Sequence, residues 1–190
     1  MMFRLLPALL VFVSLSALAQ LEVGGGLLDN CKQIDALNEA GKFAEAKEKA
    51  QLCLQGIEQK LSGEISAYFR EEIGDWKRTS LDKSQVMGFS NISATYAKGS
   101  NTVDISLTGS AGGSGLGGLL GLAQMGGGQQ VTVAGITSSL NSDGSLMVPL
   151  ENGSLLMFES SDFNTADEAI AGMGDLINDF PVADINAKLK

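Results

Sequence analysis

Histidine is absent from this chain, and with it the side chain that most often serves as a general base or a neutral metal ligand near pH 7. Chemistry would have to come from 22 carboxylates, 13 lysines and arginines, two cysteines and the hydroxyls. Each arrangement of these that could carry a reaction lacks a part. The nucleophile turn G-x-S-x-G fails at Leu116, which stands where a glycine should follow Ser114 and Gly115. The phosphate-cradling G-x-x-x-x-G-K-[ST] does not occur. Residues 113–118 fit G-x-G-x-x-G, yet a dinucleotide site needs a parallel βαβ unit and an acid about 20 residues on. Here the flanking strands read as antiparallel hairpins and the interval holds no charge. The run Asn141-Ser142-Asp143-Gly144 matches part of a calcium-binding loop, but Ser139 and Leu150 occupy the positions of its first and last carboxylates. A carboxylate-pair hydrolase could be built from scattered acids, but nothing singles out a pair. Asp162, Asp167 and Glu168 are more simply charges at a helix start, near a favourable dipole. The expectation is a protein that is not an enzyme, with no catalytic residue, no metal and no cofactor.

The two cysteines are better placed for a crosslink than for redox or metal chemistry. Leu27 to Leu61 reads as two helices, with Ile34, Leu37 and Ala40 on one face of the first. Phe43, Ala46, Ala50, Leu54, Ile57 and Leu61 mark one face of the second. Gly41-Lys42 is the turn, and Asp29 or Asn30 can cap the start. Cys31 lies eleven residues before Lys42 and Cys53 eleven after it, so an antiparallel hairpin brings them to one height. The pair lacks the C-x-x-C spacing of redox motifs. Gly56 and Gly63 could bend the second helix.

That crosslink suits the compartment implied by the first residues. Arg4, an apolar stretch over 5–18 and the small-x-small run Ala17-Leu18-Ala19 form a secretory leader cleaved before Gln20. The apolar core is shorter than the roughly 20 residues that span a bilayer, and no cysteine follows the cleavage site to carry a lipid. Export, to the periplasm or the medium, permits disulfides. The formal net charge of −9 becomes one unit more negative with the loss of Arg4, which argues against nucleic acid as a partner.

Charge also divides the chain. From Asp29 to Ser80 there are 10 acidic and 8 basic residues; from Leu81 to Lys190 there are 11 acidic and 4 basic. Near Trp76 the apolar period changes from helical to two. Ile92, Ala94 and Tyr96, then Val103, Ile105 and Leu107, predict a β-hairpin turning at 98–101. Runs over 131–140, 145–150 and 154–160, with turns at 141–144 and Asn152-Gly153, predict a three-stranded meander with a type I′ turn at Asn-Gly. Pro149 argues for an edge or a bulge in its strand. Thr165 and Glu168 form a capping box for a helix with Ala166, Ala169, Ile170, Met173, Leu176, Ile177 and Phe180 on one face, stopped by Pro181. The predicted fold is α+β: an amino-terminal α-helical hairpin, then a five-stranded, mostly antiparallel sheet of two plus three strands, with a glycine-rich connecting helix and a carboxy-terminal helix. Its parts are a leader (1–19), a flexible start (20–28), the hairpin (29–72) and a sheet domain (73–190).

Between Asp104 and Asp143 there is no charge, and 11 of the 24 glycines fall there. One reading of 114–125 is a short apolar helix lying on the sheet. Another is a zipper of Gly109, Gly113, Gly117 and Gly121 at small-x-x-x-small spacing. In the second, Leu116, Leu119, Leu120, Leu122 and Met125 would contact a partner or a membrane surface.

Gly41, Phe43 and Ala46 match the G-x-[FY]-x-x-A turn of a tetratricopeptide repeat over about 30 residues, once only, and so resemble a single hairpin of that kind. Trp76-Lys77-Arg78 entering a strand and 131–135 opening the meander resemble uncharacterised secreted proteins of Gram-negative bacteria. The outline is also similar to Mog1/PsbP-like α/β/α sandwiches. Those likenesses imply a non-enzymatic accessory protein. Two function classes follow: an exported accessory or binding module that contacts a protein or envelope component, and a small-ligand or lipid carrier with an apolar cavity between sheet and helices. A solid core with an exposed apolar patch would favour the first, and a buried pocket the second.

Overall fold

A computed structural model describes residues 26, 28–86, 89–110 and 128–190. The leader, most of the 20–28 start, and the glycine-rich segment with Leu116, Leu119, Leu120, Leu122 and Met125 lie outside the described residues.

The chain enters through a 3₁₀ turn (Cys31–Gln33) and helix α1 (Ile34–Glu39), then doubles back into α2 (Phe43–Ser66). The turn is a Schellman motif. Gly41 sits at φ +69°, its N–H donates to Asn38 O at 3.0 Å, and Lys42 N–H donates to Leu37 O at 2.9 Å. Neither Gly56 nor Gly63 interrupts α2, and Gly56 is buried. The Cys31–Cys53 disulfide is formed, with Cα atoms 4.8 Å apart.

Mixed α+β architecture is observed, with eight strands among the described residues where the period-two runs predict five. They are β1 (Glu72–Ile73), β2 (Trp76–Val86), β3 (Phe89–Lys98), β4 (Asn101–Ser110), β5 (Gln129–Val133), β6 (Ile136–Leu140), β7 (Leu146–Pro149) and β8 (Leu155–Glu159). All pair antiparallel in one sheet of order β1-β2-β3-β4-β8-β7-β6-β5. The two expected strand groups are thus joined where β8 lies beside β4, with Ile105 opposite Phe158 and Leu107 opposite Leu156.

Three local expectations change. The 131–140 run is two strands, because Ala134 (φ 49°) and Gly135 (φ 82°) both take positive φ, the condition for a type I′ turn. At Asn152-Gly153 only the glycine does so. That turn closes through Gly153 N–H to Leu150 O and Leu150 N–H to Ser154 O, a type I turn with a glycine bulge rather than type I′. Asn141 to Ser145 repeats the same pattern. Pro149 is not on an edge strand. It ends β7, beyond the last β6 partner at Met147, where no ladder bond requires its nitrogen. The alanine at φ 49° is strained, since its Cβ crowds the backbone there. Ala134→Asn is expected to raise the unfolding free energy by about 0.5–1 kcal/mol, read as a higher urea midpoint at unchanged slope.

One face of the sheet carries the core. Ile92, Ala94, Tyr96, Val103, Ile105, Leu107, Leu146, Val148, Leu156 and Phe158 are buried on it, as alternation predicts. Against it pack the end of α2 through Ile65, with Phe69 beyond it, then α3 (Ala166–Asp179) through Ala169, Met173 and Leu176, and α4 (Val182–Leu189) through Val182 and Ile185. The α3 capping box is present: Glu168 N–H donates to Thr165 Oγ1 at 3.3 Å, while Asn164 N–H donates to Glu168 Oε2 at 2.9 Å. Ile170, expected on the inner face, is exposed. Asn186 ties α4 to the β7–β8 turn, accepting from Glu151 N–H at 2.9 Å and donating to its carboxylate at 3.1 Å.

Tyr96 lies in the core with its hydroxyl donating to Arg70 O at 2.9 Å, and burial pushes its pKa up to about 12. The protonated phenol is therefore favoured in the fold. This contribution is intact below pH 10 and is lost as pH rises from about 10 to about 12, where the unfolded chain releases the proton first. Tyr96→Phe should flatten the stability profile over that interval while costing about 1 kcal/mol at pH 7, as measured by rapid chemical denaturation across pH.

Candidate functional site

At 100° per residue, Phe43, Ala50, Leu54, Ile57 and Leu61 fall on one stripe of α2, and Ile65 continues it. The stripe has two fates. Its carboxy-terminal end meets the sheet, where Leu61 packs on the core and Ile65 is buried. Toward the amino terminus the helix runs past that cover, leaving Phe43 70%, Leu54 44% and Ile57 47% exposed. A neighbouring flank of α2, with Ala46 and Cys53, faces the short arm of the hairpin, to which the disulfide fixes it. The crosslink therefore holds that arm against the flank beside the exposed stripe, while the burial of Ile65 on the sheet sets how α2 itself is turned.

Where the stripe reaches the sheet there is a cleft of about 70 Å³, lined by Leu61, Ile65, Ile92, Leu107 and Leu189, with Glu58 at its side. Ligand pockets occupy roughly 300–1,000 Å³, so this one admits only a few waters. Depressions of about 230 and 390 Å³ lie on the surface against polar residues, Lys83 and Ser84 in one, Glu71, Glu72 and Lys77 in the other. Among the described residues no buried side-chain polar atom lacks a partner, and no group of three metal-ligating side chains occurs.

The polar cluster around Asp175 is structural in character. Asp175 accepts from Trp76 Nε1 at 3.1 Å, from Leu176 N–H at 2.9 Å and from Lys98 Nζ at 2.5 Å, and Lys98 lies 5.8 Å from the Trp76 ring centre. The Lys98 hydrogen bond holds the Asp175 carboxyl below its usual range, and the same bond raises Lys98. Both stay charged at neutral pH, which suits a clamp between β3 and α3 and not a proton-transfer pair.

No family model, curated protein or solved structure matches this chain.

Of the residues singled out from sequence, Cys31 and Cys53 meet as the hairpin spacing implies. The exposure of Phe43, Leu54 and Ile57 was not foreseen, since periodicity assigns them to a buried face. The available signal was length: an apolar stripe from 43 to 65 spans about 33 Å of helix at 1.5 Å per residue, more than the width of a few strands. Among the described residues no helix is long and apolar enough to cross a membrane.

Proposed function

We propose that the protein is an exported, non-enzymatic interaction module whose contact surface is the Phe43-Leu54-Ile57 stripe of α2, presented by the disulfide-fixed hairpin to an apolar surface of a protein in the cell envelope. The observation that carries this reading is the exposure of three large apolar side chains on one helix face beside a filled core. Such patches mark interaction sites. The alternative, a small-ligand or lipid carrier, needs an apolar cavity between sheet and helices, and the 70 Å³ cleft does not favour it. Export rests on the leader ending at Ala19, with the Cys31–Cys53 bridge in keeping with an oxidising compartment.

The test places a photo-crosslinking amino acid at Ile57 and, as a control, at Gln59, in the full chain expressed in its own host. A single protein adduct at position 57, lost when Phe43 and Leu54 are both changed to aspartate, is the expected result. Adducts of equal yield at both positions, or none at 57 in a folded protein, would overturn the assignment.

A further inference from the structure

The exposed part of α2 is narrow and regularly spaced. Phe43, Lys47, Ala50, Leu54 and Ile57 follow one another at steps of four, three, four and three residues, and all five are exposed. At 100° per residue they fall within an arc of about 80°. Gln51 and Glu58 border it on one side, and Ala46 and Cys53, turned to the short arm, on the other. A helix that lies on a sheet covers an arc of about 100° or more, whereas a strict four-three seam is the narrower contact between two helices packing knobs into holes. Helix α2 shows the contrast itself. Where it meets this chain's own sheet the covered arc runs from Leu61 through Ile65 to Ser66, about 140°. The exposed seam from 43 to 57 keeps the smaller width over about 21 Å of helix.

Lys47 sits inside that seam, and among the described residues it makes no hydrogen bond or ion pair. Its neighbours differ: Lys42 is held by Glu45 at 3.1 Å and Lys49 by Asn30 at 3.0 Å. A lysine at one seam position selects partner and register at a cost in stability. Here it argues against a second copy of the chain. Parallel copies in register would set Lys47 against Lys47. Antiparallel copies would set it against Phe43, Ala50, Ile57 or Glu64, according to register. Glu64 is the one carboxylate of these, and Lys188 already binds it at 2.6 Å.

We infer that the partner presents an amphipathic α-helix of a different chain, with large apolar residues at the same four-three spacing and a carboxylate facing Lys47. This rests on the α2 stripe being the contact surface, and adds the form and charge of what covers it. Leu54 and Ile57 receive the partner's apolar side chains, while Ala50 lets the two backbones approach closely. Lys47 fixes register, because a partner helix displaced along the seam brings an apolar side chain against the ammonium group and leaves its own carboxylate unpaired.

The test places a photo-crosslinking amino acid at Ala50, Leu54 or Ile57, one at a time, in the full chain expressed in its own host, and locates each adduct by peptide mass spectrometry. Expected are adducts to one segment of a different protein, at residues three or four apart in step with the probes. An aspartate or glutamate should lie within one turn of the residue joined to position 50. Lys47→Glu should lower the yield from position 54 roughly tenfold, while Lys47→Arg retains it. Adducts at two-residue steps, as from a strand, or scattered over separate segments would overturn the helical partner and leave the stripe as a contact surface. Adducts to a second copy of this chain would overturn pairing with a different one. An unchanged yield with Lys47→Glu, in protein with native circular dichroism, would overturn the facing carboxylate. Absence of adducts from all three positions would overturn the stripe itself, and this inference with it.

Discussion

Phe180→Ala is expected to lower the unfolding free energy by about 3–5 kcal/mol. Phe180 ends α3, is 3% exposed, and receives three aromatic rings at steep angles: Phe69 at 5.3 Å, Phe158 at 5.4 Å and Tyr96 at 6.5 Å. Phe69 follows α2, Tyr96 lies in β3 and Phe158 in β8, so one side chain joins the hairpin to both halves of the sheet. Edge-to-face pairs contribute roughly 0.5–1.5 kcal/mol beyond burial, and the cavity left by truncation has stiff walls. Phe180→Leu should lose less, because it refills part of the volume. Urea denaturation of the three proteins checks both the size and the order; a loss under 1 kcal/mol for alanine would remove Phe180 from this role.

Opening the Cys31–Cys53 bridge by a double change to serine should cost about 3 kcal/mol, from a sequence separation of 22 in the chain-entropy relation. The consequence is local as well as global. Helix α1 has six residues, none buried, too few for a stable helix alone. The crosslink, with the 3.0 Å hydrogen bond from Lys49 Nζ to Asn30 Oδ1, retains the short arm against α2. Hydrogen exchange should therefore accelerate most at the Gly41 and Lys42 amides of the turn, while amides of β3 and β4 keep their protection in native conditions. Equal acceleration in sheet and hairpin would mean that the bridge supports the whole domain and not the presentation of one surface. The same variant should weaken partner capture through α2 even where the protein remains folded.

Legibility in the sequence followed the locality of each signal. Strands β3 and β4 announce themselves through Ile92, Ala94, Tyr96, Val103, Ile105 and Leu107, and Thr165 with Glu168 marks the start of α3. Helix α2 and its crosslink could be placed from spacing alone. Strand β2 could not. It carries Arg78, Asp82 and Lys83 around a single core-side leucine, Leu81, because β1 covers only its first two residues and the rest is an edge among the described residues. Charged side chains on an edge protect against pairing with other chains, and they also erase the alternation by which a strand is recognised. The β5–β6 turn was hidden for a different reason: Ala134 is a poor residue for positive φ, so nothing in the run suggests a reversal. The insertion of β8 beside β4 is wholly non-local, set by complementary apolar faces 50 residues apart in the chain.

The candidate surface was half legible. Phe43, Leu54 and Ile57 were recognisable as one helical face, but which part of a face is covered depends on where the sheet ends, and that is decided by tertiary packing. The most direct measurement isolates the protein from its own host, alongside a Leu54→Asp/Ile57→Asp variant, and identifies co-purifying proteins and lipids by mass spectrometry. A stoichiometric protein partner present with the wild type and absent with the variant is the predicted result. An apolar small molecule retained equally by both would contradict the account and identify a carrier.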